Sequence, residues 1–315
     1  MNMRSLKPAL LGSLIASVAL PLHATSVYTD PVGAVVVDVV PGFQTMSVGL
    51  QKAKVFQGAV DSVNGDSIGV TVGADVLASP HYVQVLSGDA MGTVATVVDA
   101  DGSSVTTSPA ILGLAAGDSI AVRPHVTLGD IATEPEMADG STITIYNPDG
   151  TSELFEYFSS ATLGTDEGIW GDAASEPANE VAIFPGEGFV LNNSGAAVSA
   201  TFVGAVSVDA VALPVGPSFS IVGSLNPVST STLAGVYGSV APGTSITVYS
   251  ADGQLSVVEI YEAFDAADLG MGEGIVFGDS ANEIADDDVL AAFLGTVVNP
   301  SAPGVLMIPA AYSAE

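Results

Sequence analysis

Hydrophobic and polar residues alternate along most of this chain with the period of β-strands. Valine, isoleucine and threonine alternate with small polar residues in short runs, as in SIGVTVG (67–73) and STITIY (141–146). This period places one set of side chains on a buried face. The runs end at Asn-Gly, Asp-Gly and Pro-Gly pairs, which supply the positive φ angles that hairpin turns need. The pattern predicts an all-β protein of sandwich or barrel-like modules.

One strand-and-turn unit occurs twice. STITIYNPDG (141–150) and TSITVYSADG (244–253) are 103 residues apart, and matched residues continue in order beyond the turn. EIYEAF (259–264) is a strand if it copies ELFEYF (153–158), although 257–267 and 288–294 also fit short helices. The duplication predicts two tandem repeats.

The first repeat is predicted to be interrupted. Residues 55–123 have their own rhythm of strands and turns, which indicates a small nested β-barrel, and insertions of this kind succeed at exposed loop tips. The predicted organisation is a signal peptide at 1–24, a first repeat at 25–54 plus 124–200, the insert at 55–123, and a second repeat at 201–315.

The first 24 residues have the composition of a secretory leader. Arg4 and Lys7 precede the apolar run PALLGSLIASVALPL, and Ala24 is a small residue at the cleavage position. The sequence therefore predicts a secreted protein, extracellular or at the cell surface, with the periplasm as an alternative. No transmembrane segment is predicted in the mature chain, and the absence of cysteine excludes disulfides.

The mature chain is strongly acidic. Only Lys52, Lys54 and Arg123 remain outside the leader, against 35 acidic residues, which gives a formal net charge of −32. Nucleic acid is excluded as a partner, because phosphate binding needs clustered cations. The charge is typical of a protein that stays soluble in salt water.

Carboxylates close together at turns could bind Ca²⁺, a cation that prefers oxygen ligands. The candidates are Asp99, Asp101, Asp279, Glu283, Asp286 and Asp287. None of these turns matches an EF-hand loop, and Asp-Gly in a hairpin is commonly turn chemistry alone. Calcium binding and solubility thus stay open as roles for these acids.

The sequence offers little for catalysis. VFGDS (276–280) resembles the nucleophile block of GDSL-type esterases, but that family has a catalytic histidine near the end, and no histidine follows Ser280. GDSIG (65–69) leads into a strand rather than the helix of a nucleophile elbow. Only His81 and His125 lie outside the leader. We therefore predict no enzymatic activity, with a hydrolase as a distant third alternative.

A binding role has better candidates. Trp170 and several tyrosines and phenylalanines, among them Tyr146 and Tyr249, lie in the duplicated segments, where they could fill the cores or bind a sugar ring. In the alignment of the repeats Trp170 stands opposite Val276, a swap that a core position would tolerate poorly. The predicted ligand-binding residues are Trp170, Asp172, Glu180 and Glu187.

Several motifs resemble an uncharacterised family of secreted, β-rich proteins from environmental Gram-negative bacteria. They are DPVG (30–33), YVQVLSGDAMG (82–92), LAAGDSIAVRP (114–124), TLGDI (127–131) and PGEGFVL (185–191). The resemblance implies no activity. The second repeat departs from it, since DDDVLAAFLG (286–295) replaces the PGEGF block.

Two functions from different classes follow. The first is a non-catalytic structural or adhesive component of the cell surface or extracellular matrix, acting by self-association. The second is a carbohydrate-binding protein that binds extracellular polysaccharide through Trp170 and nearby acids.

Overall fold

The computed structural model describes residues 30–72, 79–131 and 133–312, and the predicted leader lies outside them. The all-β prediction is confirmed. The segment 257–267, for which helix and strand both stood open, forms a strand. Within the described residues no helix is long and apolar enough to cross a membrane.

Two five-stranded antiparallel sheets dominate the fold, and each strand pairs along its length with the next. The first contains β2 (Gly42–Ser47), β13 (Thr142–Tyr146), β14 (Ser152–Phe158), β15 (Ile169–Gly171) and β17 (Gly188–Asn193). The second contains β20 (Ser220–Val222), β21 (Ser245–Tyr249), β22 (Val257–Asp265), β23 (Ile275–Gly278) and β24 (Thr296–Asn299).

These two sheets have the same strand order. The first runs β15-β14-β13-β17-β2 and the second, read from its other end, runs β23-β22-β21-β24-β20. In both, the duplicated hairpin lies in the middle of the sheet and the earliest strand forms one edge. This agreement supports the predicted duplication, while the exact ends of the repeats stay predictions.

Each five-stranded sheet has a smaller companion. The first companion consists of β1 (Val32–Val39), β3 (Leu50–Gln51), β12 (Thr133–Glu134) and β18 (Val198–Val206), and the second of β19 (Val211–Val215) and β25 (Gly304–Ile308). Between each pair of sheets lies a separate hydrophobic core, the first around Phe189 and Trp170 and the second around Phe277 and Tyr237.

The segment between β3 and the short strand β11 (Val126–Thr127) forms a seven-stranded sheet with its own core. Its strands are β4 (Phe56–Ala59), β5 (Ser62–Asn64), β6 (Ser67–Gly69), β7 (His81–Val85), β8 (Val94–Ala100), β9 (Ser104–Ser108) and β10 (Ser119–Pro124). The order is β4-β10-β7-β8-β9-β6-β5. The strands at the two ends of this order, β4 and β5, are separated in the chain only by Val60 and Asp61, where the Val60 N–H donates to the Asp118 carbonyl and the Asp61 N–H donates to the Gly69 carbonyl. The sheet therefore curves back on itself as a half-barrel, which is the form that the predicted nested β-module takes.

The remaining regular elements are short. Strand β11 pairs with β16 (Ala182–Ile183), a 3-10 helix spans Leu128–Asp130, and two single-turn helices are α1 (Ser160–Leu163) and α2 (Leu233–Tyr237). Residues 288–294, the other segment for which a helix was considered, contain none of these helices.

Candidate functional site

The two five-stranded sheets meet edge to edge at β2 and β20, a contact we call the seam. The Ser47 N–H donates to the Phe293 carbonyl and the Gly223 N–H donates to the Gly186 carbonyl, both at 3.0 Å. Phe293 directly precedes the residues that lead into β24, as Gly186 does for β17. The two hydrogen bonds are therefore exchanged by swapping the repeats, and the seam has approximate two-fold symmetry.

Pairing across the sheets fixes this equivalence. Phe189 of β17 lies opposite Met46, and Thr296 of β24 lies opposite Val222. Isolated bridges then join Met46 to Leu294 and Val222 to Glu187. The PGEGF block (185–189) therefore corresponds to AFLGT (292–296), so the acidic residues 286–288 precede the matching residues and do not replace the block.

An aromatic groove of about 290 Å³ lies over the seam on the solvent side of both sheets. Its walls come from both repeats: Thr45, Tyr146, Val190, Phe219, Ile221, Tyr249, Leu255, Val297 and Asn299. Tyr146 and Phe219 approach with ring centroids 4.7 Å apart. Tyr146 and Tyr249 are the matching last residues of β13 and β21, so the duplicated hairpin supplies one tyrosine to each side of the groove.

The strand period explains why these rings face outward. Ile143 and Ile145 point into the first core, so Tyr146, one position further, lies on the other face. Ile246 likewise points into the second core, and Tyr249 is only half-buried. Phe219 is 37% exposed.

The groove carries no positive charge. All three basic residues of the described chain bind carboxylates away from the groove. They lie where the half-barrel joins the first repeat, a region that we call the root of the half-barrel. The polar side-chain groups of the groove are the tyrosine hydroxyls, the Asn299 amide and the hydroxyl of the buried Thr45. Such a surface fits a ligand with apolar faces and neutral hydrogen-bonding groups.

Trp170, the leading candidate from the sequence, is 1% exposed and packs edge-on against Tyr157 with centroids 5.1 Å apart. Its backbone N–H donates to Asn179 Oδ1, as that of Phe277 does to Asp286 Oδ1, both at 2.8 Å. Phe277 is thus the counterpart of Trp170, and the comparison with Val276 is wrong by one residue. One aromatic core residue replaces another, so the difference no longer indicates a ligand platform.

The repeated acids form turns. Asp172 Oδ1 accepts the N–H groups of Ala174 and Glu176, and Asp279 Oδ1 accepts those of Ala281 and Glu283. Glu283 therefore corresponds to Glu176. Glu180, a predicted ligand-binding residue, is exposed and is not the counterpart of Glu283.

The other calcium candidates are also engaged in local bonds or exposed. Asp101 accepts hydrogen bonds from the backbone and hydroxyl groups of Ser103 and Ser104, which lower its pKa to about 2. Asp99 accepts the N–H of Ala100, and Asp287 is exposed. Across 30–72, 79–131 and 133–312, no three acidic or histidine side chains gather as a metal ion requires.

A second cavity, of about 540 Å³, lies beside Trp170 and contains Glu134, Glu136, Asp166 and Glu167. The Glu136 carboxylate is already bound: the Tyr157 hydroxyl donates to Oε1 at 2.9 Å and the Ser160 hydroxyl to Oε2 at 2.7 Å. Hydrogen bonds from Ser160 lower the pKa of Glu136. These contacts hold the loop around α1 in place.

His81 and His125 lie at the root of the half-barrel. His125 is buried between Tyr82 and Phe184, and burial lowers its pKa to about 4. His81 is also buried, with Nδ1 2.6 Å from the Ser79 carbonyl. Among the described residues neither ring is hydrogen-bonded to a serine hydroxyl or a carboxylate.

Glu187, predicted from the PGEGF block, lies at the seam. One carboxylate oxygen accepts the Phe184 N–H at 2.9 Å, and the corresponding residue of the second repeat is Leu294. Burial raises the pKa of Glu187 to about 7 from an ordinary value of 4.5. A carboxylate in a position that also suits leucine is costly to ionise.

The raised pKa predicts a stability gain from Glu187→Gln at alkaline pH. Folded Glu187 holds its proton up to about pH 7, whereas the unfolded chain releases it near 4.5, so stability falls as pH rises between these values. Glutamine removes this penalty, which is up to about 3 kcal/mol at pH 8, and changes little at pH 4. Urea unfolding at both pH values measures it. The exposed Glu180→Gln is the matched control, and an equal effect at both pH values would contradict the prediction.

No family model, curated protein or solved structure matches this chain. The resemblance to a family of secreted proteins stays a prediction.

The sequence did not predict the groove, because its residues come from distant parts of the chain. One available clue was the repetition of Tyr146 and Tyr249 at the end of matching strands. Their position along the strands could have placed both rings on the solvent face, but it does not show that the two sheets join beside them.

Proposed function

We propose that this protein is a secreted, non-catalytic adhesive protein that binds a neutral extracellular polysaccharide in the groove over the seam. The observation that carries the proposal is the groove itself, in which Tyr146, Phe219 and Tyr249 from both repeats form one partly exposed aromatic surface.

The chemistry of the groove favours a sugar polymer. Aromatic rings pack against the apolar faces of sugar rings, while hydroxyl and amide groups bond to the sugar hydroxyls at the edge. The groove is open rather than enclosed and crosses from one sheet to the next, which suits an extended chain. It therefore supports binding along a polymer better than capture of a small metabolite.

Charge selects among polysaccharides. The mature chain would carry a net charge of −32, and each described cation is paired away from the groove. An acidic polysaccharide would be repelled at low ionic strength. We therefore expect neutral polymers to bind and acidic ones not to bind.

Affinity electrophoresis in native gels tests this selectivity. Gels containing hydroxyethylcellulose or glucomannan should retard the mature protein, and gels containing alginate should not. Tyr146→Ala and Tyr249→Ala should each weaken binding about three- to tenfold, since one aromatic contact contributes about 1 kcal/mol. The double variant should migrate as in a gel without polymer.

The matched control is Tyr312→Ala, which removes an equally large ring that is exposed outside the groove. It should bind as the wild type does. The proposal fails if neither neutral polymer retards the protein, or if the double variant is retarded as strongly as the wild type.

A further inference from the structure

The two companion sheets differ at their outer edges, because that of the second sheet is covered and that of the first is open. Strand β19 pairs with β25 on one side, and on the other side the half-barrel covers it. There the Ala212 N–H donates to the Gly92 carbonyl at 2.8 Å, Thr93 bridges Ala212 in parallel, and Gln84 Nε2 donates to the Ala210 carbonyl at 3.1 Å.

Strand β1 occupies the same position in the first repeat, immediately before β2, and pairs only with β18. In the described parts of the chain no segment takes the place on β1 that Gly92 and Thr93 take on β19. An edge strand with free N–H and C=O groups is a template for another strand.

The direction of the free groups follows from the pairing. The Val206 N–H donates to the Pro31 carbonyl at 2.7 Å, so residue 31 faces β18. In an antiparallel pair inward and outward residues alternate. The backbone groups of Val32, Ala34, Val36 and Asp38 therefore point away from β18, along the whole open edge.

The side chains beside this edge are apolar in a strongly acidic protein. Val32 is 75% exposed, Val36 63%, and Val203 of the neighbouring strand 68%. Ala34 lies between them opposite Val203. Asp38 is the only charged residue of β1. Long, flat, apolar edges are usually blunted by charge, proline or a covering element, and β1 has a single charge at one end.

We propose that β1 pairs antiparallel with β1 of a second copy of this chain, about a two-fold axis near Val35. In this register Ala34 lies opposite Val36 of the partner, and Asp38 opposite Val32. The two aspartates lie at opposite ends, so the contact joins no like charges. Two acidic copies repel each other, and the uncharged strip formed by Val32, Ala34 and Val36 is where they can approach without bringing carboxylates together.

A second copy is the occupant that this fold favours. At the seam the edge strands β2 and β20 already lie together about an approximate two-fold axis, each hydrogen-bonded to the segment that leads into β24 or β17 of the other repeat. The covered edge of β19 is filled by the chain itself. A contact between identical strands is isologous and closes as a dimer rather than growing into a fibre. The dimer would carry two grooves and would bind a polysaccharide with higher avidity, although the pairing does not depend on that function.

Sedimentation velocity of the full mature protein tests the pairing at low salt and in about 0.5 M NaCl, where the Debye length is only a few Å. The dimer fraction should rise with salt, because screening weakens the repulsion between acidic copies. A protein that is monomeric at both salt concentrations up to about 100 µM would overturn the proposal, since an edge used for assembly should bind in the micromolar range.

Ala34→Pro is the decisive variant. Proline removes an N–H that points away from β18, so β1 keeps its own pairing, but the outward ladder is interrupted. The dimer should weaken at least tenfold, whereas Ala34→Thr, which keeps the N–H, should dimerise within about twofold of the wild type.

Val36→Glu is a second variant that does not depend on proline being accommodated. It adds a negative charge to an exposed position of the strip, so it should also weaken the dimer, most strongly at low salt. A dimer that survives both Ala34→Pro and Val36→Glu at wild-type strength would show that another surface is used and would refute the pairing.

Discussion

Replacing Phe293 by alanine is expected to lower the free energy of unfolding by about 3–5 kcal/mol, the range for truncating a buried phenylalanine. Phe293 belongs to the second repeat by sequence, yet its side chain is buried in the first core and stacks on Phe202 with ring centroids 5.3 Å apart. Its loss would open a cavity and loosen the seam together.

The corresponding position of the first repeat explains why only one phenylalanine crosses the seam. Gly186 has a φ of 81°, close to the 62° of Phe293, and a Cβ on it would lie 2.4 Å from Ile308 Cδ1. Ile308 already occupies the place in the second core that corresponds to the space filled by Phe293 in the first core. The two halves of the seam are therefore equivalent in backbone and complementary in volume.

Chemical denaturation measures the effect, with Phe43→Ala as a matched control because Phe43 is 47% exposed. The control should cost less than about 1 kcal/mol. Phe293→Gly should cost no more than Phe293→Ala, since glycine accepts the positive φ without strain. A loss for Phe293→Ala as small as that of the control would mean that the ring contributes little to the seam.

The sequence was sufficient for the strands and for the duplicated hairpin. Alternation set the faces of β13 and β21, and the Asp-Gly turns marked where the hairpins reverse, because both properties are local. For EIYEAF helix and strand both stood open, because strand followed only if the segment copies ELFEYF, and it forms most of β22. The half-barrel was indicated by its separate rhythm of strands, but the order of the strands in its sheet was not.

Register was harder, because loops of different length separate the matched strands. Thr142 pairs with Glu156, whereas Ser245 pairs with Glu262, so the second hairpin is three residues longer and contains a register shift at Tyr249. Residues that match in the sequence consequently occupy different register positions in the two sheets. The mistaken pairing of Trp170 with Val276 has a related cause, since GEGIVFGD (272–279) is one residue longer than DEGIWGD (166–172) and the sequence does not show where the extra residue lies.

The groove could not be derived from local pattern at all. It exists because β2 and β20 meet, and the choice between joined and open edges depends on packing between residues far apart in the chain. At the seam, Phe293 and Gly186 allow the two sheet edges to join. At β19, the half-barrel covers the edge. Neither contact has a period or a motif that identifies it.

Removal of the Arg123 guanidinium is expected to destabilise the protein by about 3–5 kcal/mol, because it leaves two partly buried carboxylates with the Lys54 ammonium as their one shared cation. Arg123 is fully buried where the half-barrel joins the first repeat. Its Nη2 lies 3.0 Å from Asp30 and 3.8 Å from Asp209, and Lys54 contacts the same two carboxylates at 3.3 and 3.2 Å. Two cations thus balance two anions.

Arg123→Met keeps much of the apolar volume and leaves one lysine for two aspartates. Adding Asp209→Asn restores the balance of charge, with Lys54 and Asp30 as the remaining pair. The double variant should therefore be more stable than Arg123→Met alone. If the two substitutions acted independently, it would be less stable. Urea unfolding of the wild type, both single variants and the double variant gives this coupling directly.

Lys52→Met is the control within the same chain. Its ammonium lies 2.7 Å from Asp130, but both side chains are more than a third exposed, and such pairs contribute less than about 1 kcal/mol. Limited proteolysis should cut the Arg123→Met variant first at the root of the half-barrel, near Lys52 and Lys54. If Arg123→Met and Lys52→Met cost the same, the buried network does not anchor the half-barrel, and its attachment must rest on the apolar contacts around Tyr82 and His125.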